Sequence, residues 1–236
     1  MIAEAELRAQ LHALGLAAGS IVVVHTSFKA VGPVAGGPLG LIAALRAALG
    51  DEGTLVMPSM SFDDDLVFDA RATPCREMGV VADTFWRQPG VARTDNPSGF
   101  AAAGAYAATI VASHPLAPPH GIDSPVGRAC ALGGFVLLLG VGHDADTTLH
   151  FAESLAKVPY RETDHCCQGF ARADEWLRAR GLQREGTVGR GHARLVRAHD
   201  VVRVVVAELR RDPFALLAHA ADGGCDDCAQ AWASVR

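Results

Sequence analysis

The chain has 236 residues, 50% of them hydrophobic and 20% charged, with a formal net charge of −5. That is ample apolar material for the core of one large domain, and the acidic balance, with no basic patch or Arg/aromatic stripe, excludes nucleic acid as a partner. No apolar run reaches transmembrane length and MIAEAELRAQ lacks the shape of a signal peptide, so a cytoplasmic protein with no membrane partner is expected, its six cysteines free, buried or metal-bound rather than disulfide-bonded.

Leu7, Leu11 and Leu14 recur at helical spacing, predicting a helix over Glu4–Leu16 that Gly19-Ser20 stops. Ile21-Val-Val-Val24 is a β-branched run and reads as a buried strand, followed by the polar segment His25 to Gly32. Pro38 opens a helix over Leu39–Leu49, as proline at a first helical turn should. Thr54 to Met57 is a second apolar strand, ending at Pro58-Ser59-Met60-Ser61. Asp63-Asp64-Asp65 with Asp69 makes an acidic loop. A helix follows over Gly79–Arg87, a short strand over Phe100–Gly104 and a helix over Ala105–Ser113. His114 to Pro125 holds four prolines and reads as a structured surface loop, and Ser124-Pro125 as a helix start.

Phe135-Val-Leu-Leu-Leu139 is an unbroken apolar run, followed at once by Gly140 and Gly142 and then by His143, Asp144, Asp146, Thr147, Thr148, His150 and Glu153. Open α/β sheets collect ligands at the carboxyl ends of their strands, so this cluster is the candidate site. A helix starting at Asp146 or Thr147 puts His150 and Glu153 on one face. Gly169–Arg180, Gly191–His199 and Asp200–Arg211 are read as amphipathic helices. The expected fold is α/β: a central, mainly parallel sheet with helices on both faces, and a helical C-terminal part over about 168–236 that ends in a Cys-x-x-Cys tail. Cys225 and Cys228 have zinc-knuckle spacing, and His165-Cys166-Cys167 offers the rest of a four-ligand set; the expected ligands are Cys225, Cys228, Cys167 and His165 around a structural Zn2+.

The blocks VVVHTSFKAVGP, GPLGLIAALRAALG, GTLVMPS, GVVADTFWR, SPVGR and LLLGVGHDADTTLHFAE, in this order, resemble the aminoglycoside 3-N-acetyltransferases. The tail from DHCC through GCDDC is most similar to their type IV branch, which acetylates apramycin, gentamicin and tobramycin. The resemblance spans about Glu4 to Cys228 and so implies a single acetyltransferase domain over 1–236. It departs at one place: VPY runs straight into RETDHCC, where the type IV branch carries a stretch resembling a β-hairpin.

The resemblance implies acetyl-coenzyme A as cosubstrate and the 3-amino group of a 2-deoxystreptamine aminoglycoside as acceptor, in an antibiotic-resistance enzyme that is a monomer or homodimer. It makes His150, in TTLH, the catalytic base, with Glu162 and Asp164 the carboxylates that orient it and grip the ammonium. It places the cosubstrate on His25, Thr26, Ser27, Phe28, Lys29, Val31 and Ser59. A polycationic substrate calls for carboxylates in its cleft, for which Asp63, Asp64, Asp65 and Glu153 are the candidates. The sequence leaves two alternatives standing: a hydrolase using the same His and carboxylates on water, and a non-catalytic aminoglycoside or coenzyme A binder.

Overall fold

The computed structural model describes residues 1–62, 67–160, 166–221 and 223–235. The chain begins with helix α1 (Glu4–Leu14), strand β1 (Ile21–Thr26), the single turn α2 (Phe28–Val31), helix α3 (Gly37–Leu49) and strand β2 (Thr54–Pro58). Next come α4 (Val80–Phe85), β3 (Ala92–Arg93), β4 (Phe100–Gly104), α5 (Ala107–Ile110), α6 (Pro125–Ala131), β5 (Phe135–Leu139) and α7 (Thr148–Ala156). The C-terminal part holds α8 (Arg172–Arg178), β6 (Gln183–Val188), β7 (Gly191–Arg197), α9 (Ala198–Arg211) and α10 (Asp226–Ala233). Local chemistry sets several of these ends. The Ser124 hydroxyl accepts from the Gly127 N–H at the start of α6, with Pro125 at its first position.

One seven-stranded sheet runs in the order β3-β4-β2-β1-β5-β7-β6. Helices cover both faces. Val22, Val24, Leu55, Leu137 and Leu139 face α1 and α3, and Val136 and Leu138 face α7 and α9. Strands buried on both faces must be apolar throughout, which is why IVVV and FVLLL carry no alternation.

The mainly parallel sheet is corrected. Only β2-β1-β5 is parallel; β2-β4, β3-β4, β5-β7 and β6-β7 are antiparallel. The helix expected over Gly191–His199 is β7, and the C-terminal part is therefore not all helical. β7 alternates its burial along GHARL, and β6 (QREGTV) is a polar edge strand with few apolar residues to betray it. Their hairpin turns at Gly189, at φ +64°.

The expectation about ligand position depends only on the parallel core, and that core is present. Thr26 pairs with Leu139, so β1 and β5 end flush, with β2 ending beside them. Three adjacent strands thus deliver their following residues to one edge. Among the described residues, no helix is long and apolar enough to cross a membrane.

Candidate active site

β5 ends on Gly140, which has φ +67° and lies against α2. The chain then makes a 3-10 turn over His143–Ala145 before α7. His143 Nδ1 meets Asp146 Oδ2 at 3.0 Å, both side chains wholly buried, and His143 Nε2 meets Gln183 Oε1 at 2.9 Å. Burial opposes a charge on this imidazole, but Asp146 and Gln183 raise its pKa above the ordinary value. Asp146 Oδ1 accepts from the Thr148 N–H, which anchors the start of α7. His143 and Asp146, two of the seven cluster residues after β5, thus form a buried hydrogen-bonded pair that fixes where α7 begins.

His150 lies in the first turn of α7. Its Nδ1 is 3.0 Å from Glu153 Oε2 and its Nε2 is 3.6 Å from Cys167 Sγ. Its ring stacks on His120, centroids 5.6 Å apart, and meets the edge of Phe170 at 4.8 Å. Burial works against the imidazolium, while Cys167 and Glu153 outweigh it and raise the pKa to about 10. His120 is shifted the other way, well below the ordinary value, by burial first and then by the neighbouring His150. The two stacked imidazoles are thus shifted in opposite directions.

Glu153, expected to face the substrate's cations, is 3% exposed and turned onto His150. Among the described residues it is the carboxylate hydrogen-bonded to the imidazole, because i and i+3 share a helix face. Glu162, Asp164 and His165 lie outside the described residues, as do Asp63, Asp64 and Asp65.

The residues expected to hold the cosubstrate gather at the flush strand ends. His25 is buried, its Nε2 without a partner among the described residues, and burial lowers its pKa. Thr26 Oγ1 and Ser59 Oγ are likewise buried with no hydrogen-bond partner among the described residues. Ser27 caps α2, accepting from the Ala30 N–H. Phe28 is half-buried against the core and Lys29 is exposed. Val31 does not fit the expectation: its side chain is fully buried in the core and its N–H is bound to the Ser27 carbonyl.

The expected metal set is also redrawn. Cys167 faces His150, while Cys166, His219, Cys225 and Cys228 bring their ligand atoms within 4.8 Å of one another. His219 escaped notice, although it stands six residues before Cys225 in a His-x5-Cys-x2-Cys pattern. His120 escaped notice inside a proline-rich loop, where no periodicity marks which side chain turns inward.

Residues 23–168 match the family model of the aminoglycoside 3-N-acetyltransferases. The chain is 50% identical to aminoglycoside N(3)-acetyltransferase IV of Salmonella sp, over 94% of this chain and 92% of that one. It is 34% identical to aminoglycoside N(3)-acetyltransferase VII of Streptomyces paromomycinus, over 87% and 91%. The crystal structure of the aminoglycoside acetyltransferase AAC(3)-IVa apoenzyme superposes with a TM-score of 0.94 at 49% identity, covering 98% of this chain and 97% of that one. A mutant of that enzyme has been crystallised with apramycin (TM-score 0.89, 49% identity, 96% and 98% covered). AAC-IIIb, crystallised as a binary complex with coenzyme A, superposes at 0.78 and 29% identity, covering 89% and 96%. With its sequence matched by the family model and by a relative 50% identical over nearly its whole length, the chain belongs to the aminoglycoside 3-N-acetyltransferase family.

Proposed function

We infer that the protein transfers the acetyl group of acetyl-coenzyme A to the 3-amino group of 2-deoxystreptamine aminoglycosides, conferring antibiotic resistance. The observation that carries this reading is the His150–Glu153 pair at 3.0 Å, at the edge where β2, β1 and β5 end. The acceptor is an ammonium in water and must lose a proton before it can attack. With Nδ1–H donated to Glu153, the lone pair of His150 Nε2 takes that proton. The freed amine attacks the thioester carbonyl carbon, the cationic nitrogen of the tetrahedral adduct gives up its second proton to solvent, the adduct expels the coenzyme A thiolate, and the imidazolium returns its proton to that sulfur. The amide, free coenzyme A and one proton released to solvent are the products.

Burial of Glu153 leaves the gripping of the substrate's ammonium groups to Glu162, Asp164 and the acidic loop Asp63-Asp64-Asp65, whose charges suit a polycation. His25, Thr26, Ser27, Phe28, Lys29 and Ser59 receive the cosubstrate; the polar atoms of His25, Thr26 and Ser59 that have no partner among the described residues suit its amides and phosphates. The whole chain acts as one catalytic domain, as a monomer or homodimer, in the cytoplasm, where acetyl-coenzyme A is made. Zinc, expected from the Cys225–Cys228 spacing, belongs here as a structural ion, and no step of the transfer passes through it.

Free-thiol release in the presence of apramycin, gentamicin or neomycin tests this reading. Thiol should appear only when an aminoglycoside is added together with acetyl-coenzyme A. Drug-independent release would make the protein a hydrolase. Drug-dependent thermal stabilisation with no thiol release would make it a binder.

A further inference from the structure

Cys166, His219, Cys225 and Cys228 come from three separate segments, and neither the transfer chemistry nor the core needs them together. Their ligand atoms nevertheless converge. Cys166 Sγ lies 3.4 Å from Cys228 Sγ and 3.4 Å from His219 Nδ1, and Cys228 Sγ lies 3.5 Å from His219 Nδ1. All four ligand atoms fall within 4.8 Å of one another, and Cys228 is wholly buried. Four ligands about 2.3 Å from a tetrahedral zinc stand ~3.7 Å apart along each edge, so the cluster has the size of that coordination shell. Three thiols and one imidazole are the donor set of a closed structural zinc site; a catalytic zinc keeps a position open to solvent. In the same donor set, hard cations such as Mg2+ or Ca2+ find no oxygen ligand.

We propose that Cys166, His219, Cys225 and Cys228 bind one structural zinc ion, and that this ion clasps the C-terminal tail to the segment that brings Cys167 to His150. The second half follows from position. Cys166 is bonded directly to Cys167, whose Sγ touches His150 Nε2 at 3.6 Å. On the other side, Cys225 caps α10 and Cys228 lies within it. α10 carries Trp232, whose Nε1–H donates to the His219 carbonyl and whose ring stacks on Phe214 at 4.3 Å. Phe214 in turn stacks on Tyr160, at 6.0 Å. The tail helix is short and packs little apolar surface of its own, so a metal clip contributes more to its order than its core contacts do.

The test uses the full chain, purified under reductant. Elemental analysis should find close to one zinc per chain, and cobalt replacement should give the visible bands of a tetrahedral thiolate site. His219→Ala should lose the metal, whereas His219→Cys should keep it, which guards against a variant that simply fails to fold. Stripping the zinc with a chelator should lower the melting temperature and cut kcat severalfold, with the Kd for coenzyme A little changed; re-adding zinc should restore both. Protein with no zinc even after supply of the ion, or with Cys166 and Cys228 joined as a disulfide instead, overturns the site. Full zinc retention in Cys228→Ser overturns the ligand set. A stripped protein with unchanged melting temperature and kcat overturns the clasp. Only the kcat arm rests on the acetyl-transfer reading. Metal content, cobalt spectrum and melting temperature stand without it, so failure of one reading is distinguishable from failure of the other.

Discussion

His150 and Glu153 face each other across one turn of α7, Nδ1 to Oε2 at 3.0 Å, with the imidazole side chain 32% exposed and the carboxylate 3%. The carboxylate is withdrawn from water while the imidazole keeps part of its surface exposed, as the proposed role of His150 requires. A buried carboxylate holds its imidazole in one tautomer, which leaves the other nitrogen to take a proton.

The same contact sets a pH dependence. Glu153 and Cys167 raise the His150 pKa to about 10, so if His150 is the base, as proposed, its neutral form accumulates as pH rises. We predict that kcat/KM climbs from pH 7 into the alkaline range, by about tenfold per unit where a single deprotonation controls it. Glu153→Gln removes a negative charge that favours the imidazolium, so its alkaline limb should move to lower pH while its plateau falls. The amine of the substrate titrates identically in both proteins, so the difference between the two profiles isolates His150. Superimposable profiles would show that Glu153 does not set the base.

His150→Ala should remove most turnover and leave coenzyme A binding nearly intact, since His25 to Lys29 are untouched. Positioned proton transfer contributes about 100- to 10,000-fold. Thiol-release kinetics beside a calorimetric titration with coenzyme A separate the two effects. Activity within about threefold of wild type, below the bottom of that range, eliminates His150 as the base.

The neighbouring pair, His143 and Asp146, should behave in the opposite way. Both side chains are wholly buried, so removing one leaves the other's charge stranded. His143→Leu or Asp146→Asn should cost about 3–5 kcal/mol of stability, as breaking a buried pair does. The folded-state pKa of Asp146 is lowered, so its contribution is complete above the ordinary 3.8 and fades as pH falls through the folded value. That of His143 is raised, so its contribution is complete below 6.5 and fades as pH rises through the folded value. The pair therefore stabilises most between those limits, and denaturant titrations across pH should show the variants losing that maximum. A variant with an unchanged midpoint at pH 5 refutes the structural role.

These two pairs show where sequence reading succeeds and where it stops. The run FVLLLGVGHDADTTLHFAE announces a buried strand, a glycine break and a helix with His150 and Glu153 on one face, because strand burial and helical spacing are local. It does not say that His143 and Asp146 turn inward and Glu153 turns to His150, since those choices depend on Gln183 and Cys167, reached only through tertiary contacts. The β6-β7 hairpin was missed for a related reason. Its edge strand is polar, and β7 mixes Leu195 and Val196 with arginines in a pattern that also suits a helix. His219 joins Cys166, Cys225 and Cys228 from a segment with no regular period at all.

The last prediction concerns Gly140, where β5 meets the cosubstrate edge. Its φ of +67° is a conformation that L side chains rarely adopt, and a Cβ placed there would lie 2.4 Å from the Cβ of Ala30 in α2. Two penalties therefore meet in Gly140→Ala. The left-handed backbone costs about 1–2 kcal/mol of stability wherever a Cβ is added. The clash must push α2 away, and with it Ser27, Phe28 and Lys29, which the proposed function places on coenzyme A. A displacement on the order of 1 Å at a positioned reactant costs up to about 100-fold, so kcat/KM for acetyl-coenzyme A should fall by about 10- to 100-fold. The companion change Ala30→Gly removes the atom that is struck. The double variant should regain kcat/KM for acetyl-coenzyme A while remaining less stable than wild type, because the strained φ is still there. Thermal melts and initial rates at varied acetyl-coenzyme A resolve the two penalties. If Gly140→Ala melts early yet keeps its kcat/KM, α2 does not hold the cosubstrate. If the double variant fails to recover, the damage runs through the backbone of Gly140 and not through α2.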